Sequence, residues 1–228
     1  VAIRDGINAG EIWGPRMLVS GPGISPTFGH GDHHFRYFIQ GPQMTPTMVA
    51  DGPDEVRKAA RIIAKEHVDH MKLFLTGGVG SIGDLPNVSK FTEAELKAAA
   101  DVAKDEGLIS GVHCYGPDGI KKAIRAGIDT IEHGTMMDEE SVEMMAEHGT
   151  YLVPTLLALY STFDMDPAKV RPDILEKTKI VTANHKEMFH LAMDRGVKIA
   201  FGTDAIGFDD NMHGDQAREF RYMLRMGM

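Results

Sequence analysis

Cysteine is almost missing from this chain: Cys114 is the only one in 228 residues. An internal disulfide cannot form, and a thiolate cage for a metal is ruled out, so any metal must be held by His, Asp, Glu or Lys. Basic charge is also short, with 24 Lys and Arg against 33 Asp and Glu and a formal net charge of −9. That balance disfavours nucleic acid as the main partner. No apolar run approaches the ~20 residues needed to cross a bilayer, because Gly, His or charge breaks every candidate. A membrane span is therefore excluded. Low-complexity tracts, charge blocks and domain linkers are lacking too, and at this length one domain over residues 1–228 is expected. The lone cysteine points to the cytoplasm. The chain begins on Val1 and ends on Met228 inside a helical run, QAREFRYMLRM. It therefore reads as part of a longer protein, incomplete at both ends, whose signal peptide, if it has one, would precede Val1.

What is present is a repeated phrase: an amphipathic helix, a glycine, then a short apolar strand ending on a polar residue. Thr92 and Glu95 have the spacing of a capping box for a helix carrying Leu96, Ala99, Ala100 and Ala103 on one face, and Gly107 stops it before LISGVH. Pro117 opens a second helix, closed by Gly127 before IDTIEH. A third runs from near Asp138 to Gly149 before TYLVPT, and a long fourth from Pro172 to Gly196 before VKIAFGTD. Four such phrases in a row argue for parallel strands joined by crossover helices. Upstream, RMLVSG (16–21) reads as a strand, a helix is expected from about Pro53 to Glu66, and DHMKLFLTGG reads as another strand. Between them the Gly-, Pro- and His-rich stretch SPTFGHGDHHFRYFIQGPQMTPT has little periodicity and the length of a binding loop. Six strands are counted where a closed barrel needs eight; an open doubly wound sheet is the alternative.

Four polar residues stand at or near the carboxyl ends of the expected strands, where parallel α/β folds build their sites: Lys72, His113, His133 and Asp204. Each has an ordinary explanation alone, a packed histidine or a helix-capping aspartate. Together they recur at one place in the phrase, and closing the sheet would aim them at a common centre. Two imidazoles and a carboxylate without cysteine suit zinc or manganese. Lys72 interrupts an apolar strand, MKLFL, where a bare ammonium is costly to bury. It would be paired with a carboxylate, desolvated as a Schiff-base amine, or carbamylated into an anionic oxygen ligand. His67, His148, His185, His190 and His213 fall in helical or flanking stretches and read as surface or packing residues. His30, His33 and His34 cluster in the GHGDHH loop, which offers hydrogen bonds to an anionic substrate group. Tyr115, two residues past His113, points to the same rim. GPGISP and TGGVG match no dinucleotide or Walker pattern.

The Lys of KLFLTGG, the His of GVHCYG, the His of TIEHG and the Asp of FGTDA, in that order, resemble the amidohydrolase superfamily. The likeness is to its imidazolonepropionase-like and prolidase-like (Xaa-Pro dipeptidase) branch, and GPRMLVSGPGISPTFGHGD is similar to that branch's third strand and following loop. The resemblance implies a (β/α)8 TIM barrel of the metal-dependent hydrolase type, with about six of its eight strands in this chain. It implies two divalent ions, zinc being expected, bridged by carbamylated Lys72, with His113 and His133 on the second ion and Asp204 on the first. A metal-bridged hydroxide would attack a peptide or related amide bond, with Asp204 as general base and His30 and Tyr115 holding a substrate carboxylate. Members of the branch are commonly oligomeric, so a homo-oligomer is expected. The His-X-His pair that ends the branch's first strand is absent here, since Val1 falls in the helix after strand 2. The absence of strands 1 and 2 would leave strands 3 and 8 with unpaired edges. Two other readings stay open at this point: a metal-free lyase or aldolase using Lys72 on the same barrel, and a catalytically incomplete segment acting only as a binding module.

Overall fold

The glycines that punctuate the sequence punctuate the fold. In the computed structural model, which describes residues 1–32, 47–205 and 213–228, α3 (Glu93–Asp105) starts at a Thr92–Glu95 capping box. Gly107, at φ 69°, turns the chain out of it in the left-handed conformation that only glycine adopts without strain. The strand β4 (Ile109–Cys114) follows. α4 (Pro117–Ala126) opens on proline, closes at Gly127 and leads into β5 (Thr130–His133). α5 (Glu139–His148), boxed by Asp138 and Ser141, closes at Gly149 before β6 (Tyr151–Val153).

Upstream stand α1 (Ala2–Asn8), β1 (Gly23–Ser25), β2 (Thr47–Val49), α2 (Gly52–Lys65) and β3 (His70–Phe74). Downstream come α6 (Leu156–Asp164), α7 (Pro172–Thr182), α8 (His185–Asp194) and α9 (Arg218–Arg225). The six strands form one parallel sheet in the order β2-β1-β3-β4-β5-β6. The crossover helices and one face of the sheet bury the core. Met71, Leu73, Val112, Ile131 and Leu152 from the strands meet Ile63, Leu96, Ile120, Ile124 and Met145 from the helices, all nearly or fully buried. Each such side chain contributes about 1.5–3 kcal/mol.

Three expectations need correction. RMLVSG is not a strand: it makes only isolated bonds to Asp69, and Gly21 at φ 63° turns the chain before the ladder begins at Gly23. The sixth strand is instead Thr47–Val49, which pairs with β1 and covers the edge expected to be open. The VKIAFGTD segment makes a single parallel bridge, Ile199 to Leu152, rather than a full strand. The long helix after Pro172 is two, broken at Ala183–Asn184. His33, His34 and most of the expected binding loop lie outside the described residues.

Candidate active site

Strand alternation sorts the site residues by face. On β3 the buried Met71 and Leu73 point to the helices, which leaves His70, Lys72 and Phe74 on the opposite, concave face. Register carries that face across the sheet: Lys72 stands beside Gly111, Phe74 beside His113, and His113 beside Glu132. Alternation in TIEH would send His133 to the helix side with its partner Cys114. It does not go there. His133 has φ 73°, and this left-handed turn at the end of β5 brings its ring back to His113. Thr155 (φ 46°), just after β6, and Asp204 (φ 50°), after the segment that bridges β6 at Ile199, are turned the same way. Non-glycine residues in that region cost about 1–3 kcal/mol each and gather at functional sites.

The two rings form the tightest part of the site. His113 Nδ1 lies 2.9 Å from His133 Nε2, and both side chains are almost wholly buried. Their outer nitrogens are committed to oxygen partners. His113 Nε2 donates to the Gly77 carbonyl at 3.1 Å. His133 Nδ1 shares a hydrogen bond with the Thr155 hydroxyl, which also lies 2.9 Å from the Pro154 carbonyl oxygen. With its Nε2 proton given to a carbonyl, neutral His113 presents the Nδ1 lone pair to His133 Nε2. Burial, then the neighbouring His30 and Lys72, hold His113 well below the ordinary histidine range; burial and Lys72 do the same for His133. Neutral rings held by oxygen partners at their outer nitrogens are what a metal ion takes as ligands.

Around this pair the rings of the rim are stacked. His30 lies flat on His113, centroids 4.3 Å apart and planes 14° apart. Tyr115 stacks on His133 at 4.8 Å and meets His113 edge-on at 4.9 Å. Tyr115 is therefore a buried wall of the site, 4% exposed, rather than an open rim residue. Lys72 reaches to 5.6 Å from the Phe74 ring. Asp204 is exposed at the residue level; the desolvation of its carboxyl and the nearby Glu132 raise its pKa, and Lys72 opposes them.

The Amidohydrolase family model matches residues 2–228. The chain belongs to the amidohydrolase family. It is 32% identical to ochratoxinase of Aspergillus niger over 215 residues, 89% of this chain and 45% of that protein. Among solved structures, a Xaa-Pro dipeptidase with bound methionine in the active site shares 36% identity at TM-score 0.86, covering 100% of this chain and 56% of that one. A prolidase complexed with N-methylphosphonate-L-proline shares 29% at TM-score 0.89, with 99% and 56% covered. The chain thus spans about half the length of the relatives it matches, and its parallel sheet with crossover helices is the corresponding part of the TIM-type barrel of amidohydrolases.

Amidohydrolases generally bind divalent metals, and the donors here can be tested against one. Two nitrogens bound to a single zinc at about 2.0–2.1 Å stand roughly 3.3 Å apart in tetrahedral geometry, so the observed 2.9 Å pair needs only a slight opening. No third His, Cys, Asp or Glu joins them to make a metal-holding cluster among the described residues. Asp204 senses the charge of Lys72 without closing on the pair. Three contributors escaped the sequence reading. Glu132 was visible in principle, since alternation in TIEH turns it inward, where it accepts from Thr130 Oγ1 at 2.7 Å. Gly111 makes room for it: a Cβ there would come within 2.9 Å of Glu132 Oε1. Thr155 carries no sequence signal, because its role depends on a backbone turn. Of the histidines read as packing, His185 is fully buried and stacked near Tyr160.

Proposed function

We propose that this chain carries most of the catalytic face of a metal-dependent hydrolase that cleaves an amide bond next to a free carboxylate, in a dipeptide or an N-acyl amino acid. The observation that carries the reading is the buried His113–His133 pair, whose facing ring nitrogens lie 2.9 Å apart. The names of the relatives, a dipeptidase, a prolidase and ochratoxinase, support the substrate class.

His113 and His133 would hold one divalent ion, zinc by the chemistry of a cysteine-free imidazole set, and carbamylated Lys72 with Asp204 would serve a second. Bound there, the ions supply Lewis acidity toward the scissile carbonyl and toward water. The chain's own groups do the rest. Asp204, which senses the charges of Lys72 and Glu132, takes the proton of the attacking water and passes it to the leaving nitrogen. His30, stacked on His113, donates to the substrate carboxylate and sets the amide over the ligand pair. Tyr115 closes the wall behind His133 and keeps bulk water from that side.

The test is hydrolysis of a dipeptide and N-acyl amino acid panel by the full-length protein. Cleavage that a chelator abolishes and zinc restores is expected. Chelator-insensitive turnover, or borohydride trapping of substrate on Lys72, would contradict the reading.

A further inference from the structure

Beside the paired histidines lies a charged cluster to which the proposed chemistry gives no role. Residues 77–84, after β3, wrap around Asp84, whose side chain is 0% exposed. Its carboxylate accepts from the Gly78 N–H at 3.2 Å, from the Ser81 hydroxyl, and from Lys177 Nζ of α7 at 3.2 Å. Lys177 also donates to the carbonyls of Gly78 (3.0 Å) and Ser81 (2.7 Å). A buried ion pair is a poor way merely to close a loop, because apolar residues of like volume do so at no greater cost. The cluster's other face explains it.

Ser81 gives its hydrogen to Asp84, so its oxygen accepts from His30 Nδ1 at 2.9 Å. Asp84 Oδ2 stands 4.0 Å from the same nitrogen. The ring also rests against Gly78, where a Cβ would lie 2.0 Å from His30 Cε1, and its far face is stacked on His113. The same loop orients His113 through the Gly77 carbonyl. One loop, pinned by one lysine, thus sets both a ring of the ligand pair and the ring beside it.

We propose that Asp84, acting through Ser81 and anchored by Lys177, is a positioning residue that fixes His30 toward the substrate carboxylate and so makes the site prefer acids over the matching amides. The substrate class rests on the proposed function; the positioning does not. With Nδ1 tied to Ser81, Nε2 is the nitrogen that Ser81 does not engage, and its direction is fixed before substrate arrives. Released from Asp84, the Ser81 hydroxyl is free to turn, and the ring loses its fixed acceptor.

The experiment is calorimetric binding of a panel of N-acetyl amino acids and their amides to the full-length wild type, Asp84→Asn and Ser81→Ala. The wild type should prefer the acids, and each variant should lose that preference by about tenfold, the worth of one charge-assisted hydrogen bond. An undiminished preference in the variants, or none in the wild type, overturns the proposal. Should Asp84→Asn fail to fold, Ser81→Ala carries the comparison. A preference that depends on Asp84 in a protein that hydrolyses nothing would sink the hydrolase reading and leave this one standing.

Discussion

His133 owes its place to a single backbone dihedral, and its orientation to a single hydroxyl. Thr155→Val keeps the branched shape, and so the strain at φ 46°, but removes the hydroxyl partner of His133 Nδ1. Zinc affinity of the metal-stripped full-length protein should fall by about 10–100-fold; an unchanged titration would show that the Thr155 hydroxyl does not orient a metal-binding ring. Asp204→Asn should keep its metal and lose turnover by a factor of about 10²–10⁴, the usual share of a general base, with elemental analysis and rate measured on the same sample. At this scale the sequence made a good part of the site readable: His113, His133, His30 and Tyr115 do meet ring to ring. It could not show Thr155, or the grip of Lys177 on Asp84, because both depend on segments far apart in the chain meeting in space.

At the scale of elements, caps were the most legible feature because their chemistry is local. Thr92–Glu95 and the glycines at 107, 127 and 149 act as their spacing requires. Glu95 does more than cap its own helix. Oε2 accepts from Thr92 N–H at 2.7 Å while Oε1 accepts from Gly52 N–H at 2.7 Å, at the start of α2. Glu95→Ala should therefore cost about 2–3 kcal/mol in urea unfolding. Glu93→Ala, which loses only an exposed pair with Arg125, should cost less than about 1 kcal/mol; equal losses would refute the double cap. The break between α7 and α8 was not legible, since residues 181–186 (VTANHK) hold neither Gly nor Pro. α9 offers a pH signature. Burial pushes Glu219 to about 7 against the pull of the Leu156 and Leu157 N–H groups. A carboxyl whose folded pKa is raised holds its proton more tightly when folded, so its contribution declines as pH rises from about 4.5 to about 7. Glu219→Gln should gain on the wild type between about pH 5 and about pH 8 in urea midpoint; a constant offset would show that Glu219 is ionised throughout.

Over the whole molecule the sheet divides two chemistries. Apolar strand residues face the crossover helices, and His70, Lys72, Phe74, His113 and Glu132 line the opposite side. The parallel α/β plan was legible because helix and strand periods alternate in a fixed phrase. Strand ends were not, since β1, β2 and β6 are only three residues long each and are set by pairing more than by composition. The paired imidazoles at the carboxyl ends of β4 and β5 are where that plan becomes a site. Elemental analysis of the full-length protein, wild type beside His113→Ala/His133→Ala, examines them directly. The expected result is about two divalent ions per wild-type chain and the loss of at least one in the double variant. Equal metal content in both proteins would mean that these two rings hold no ion.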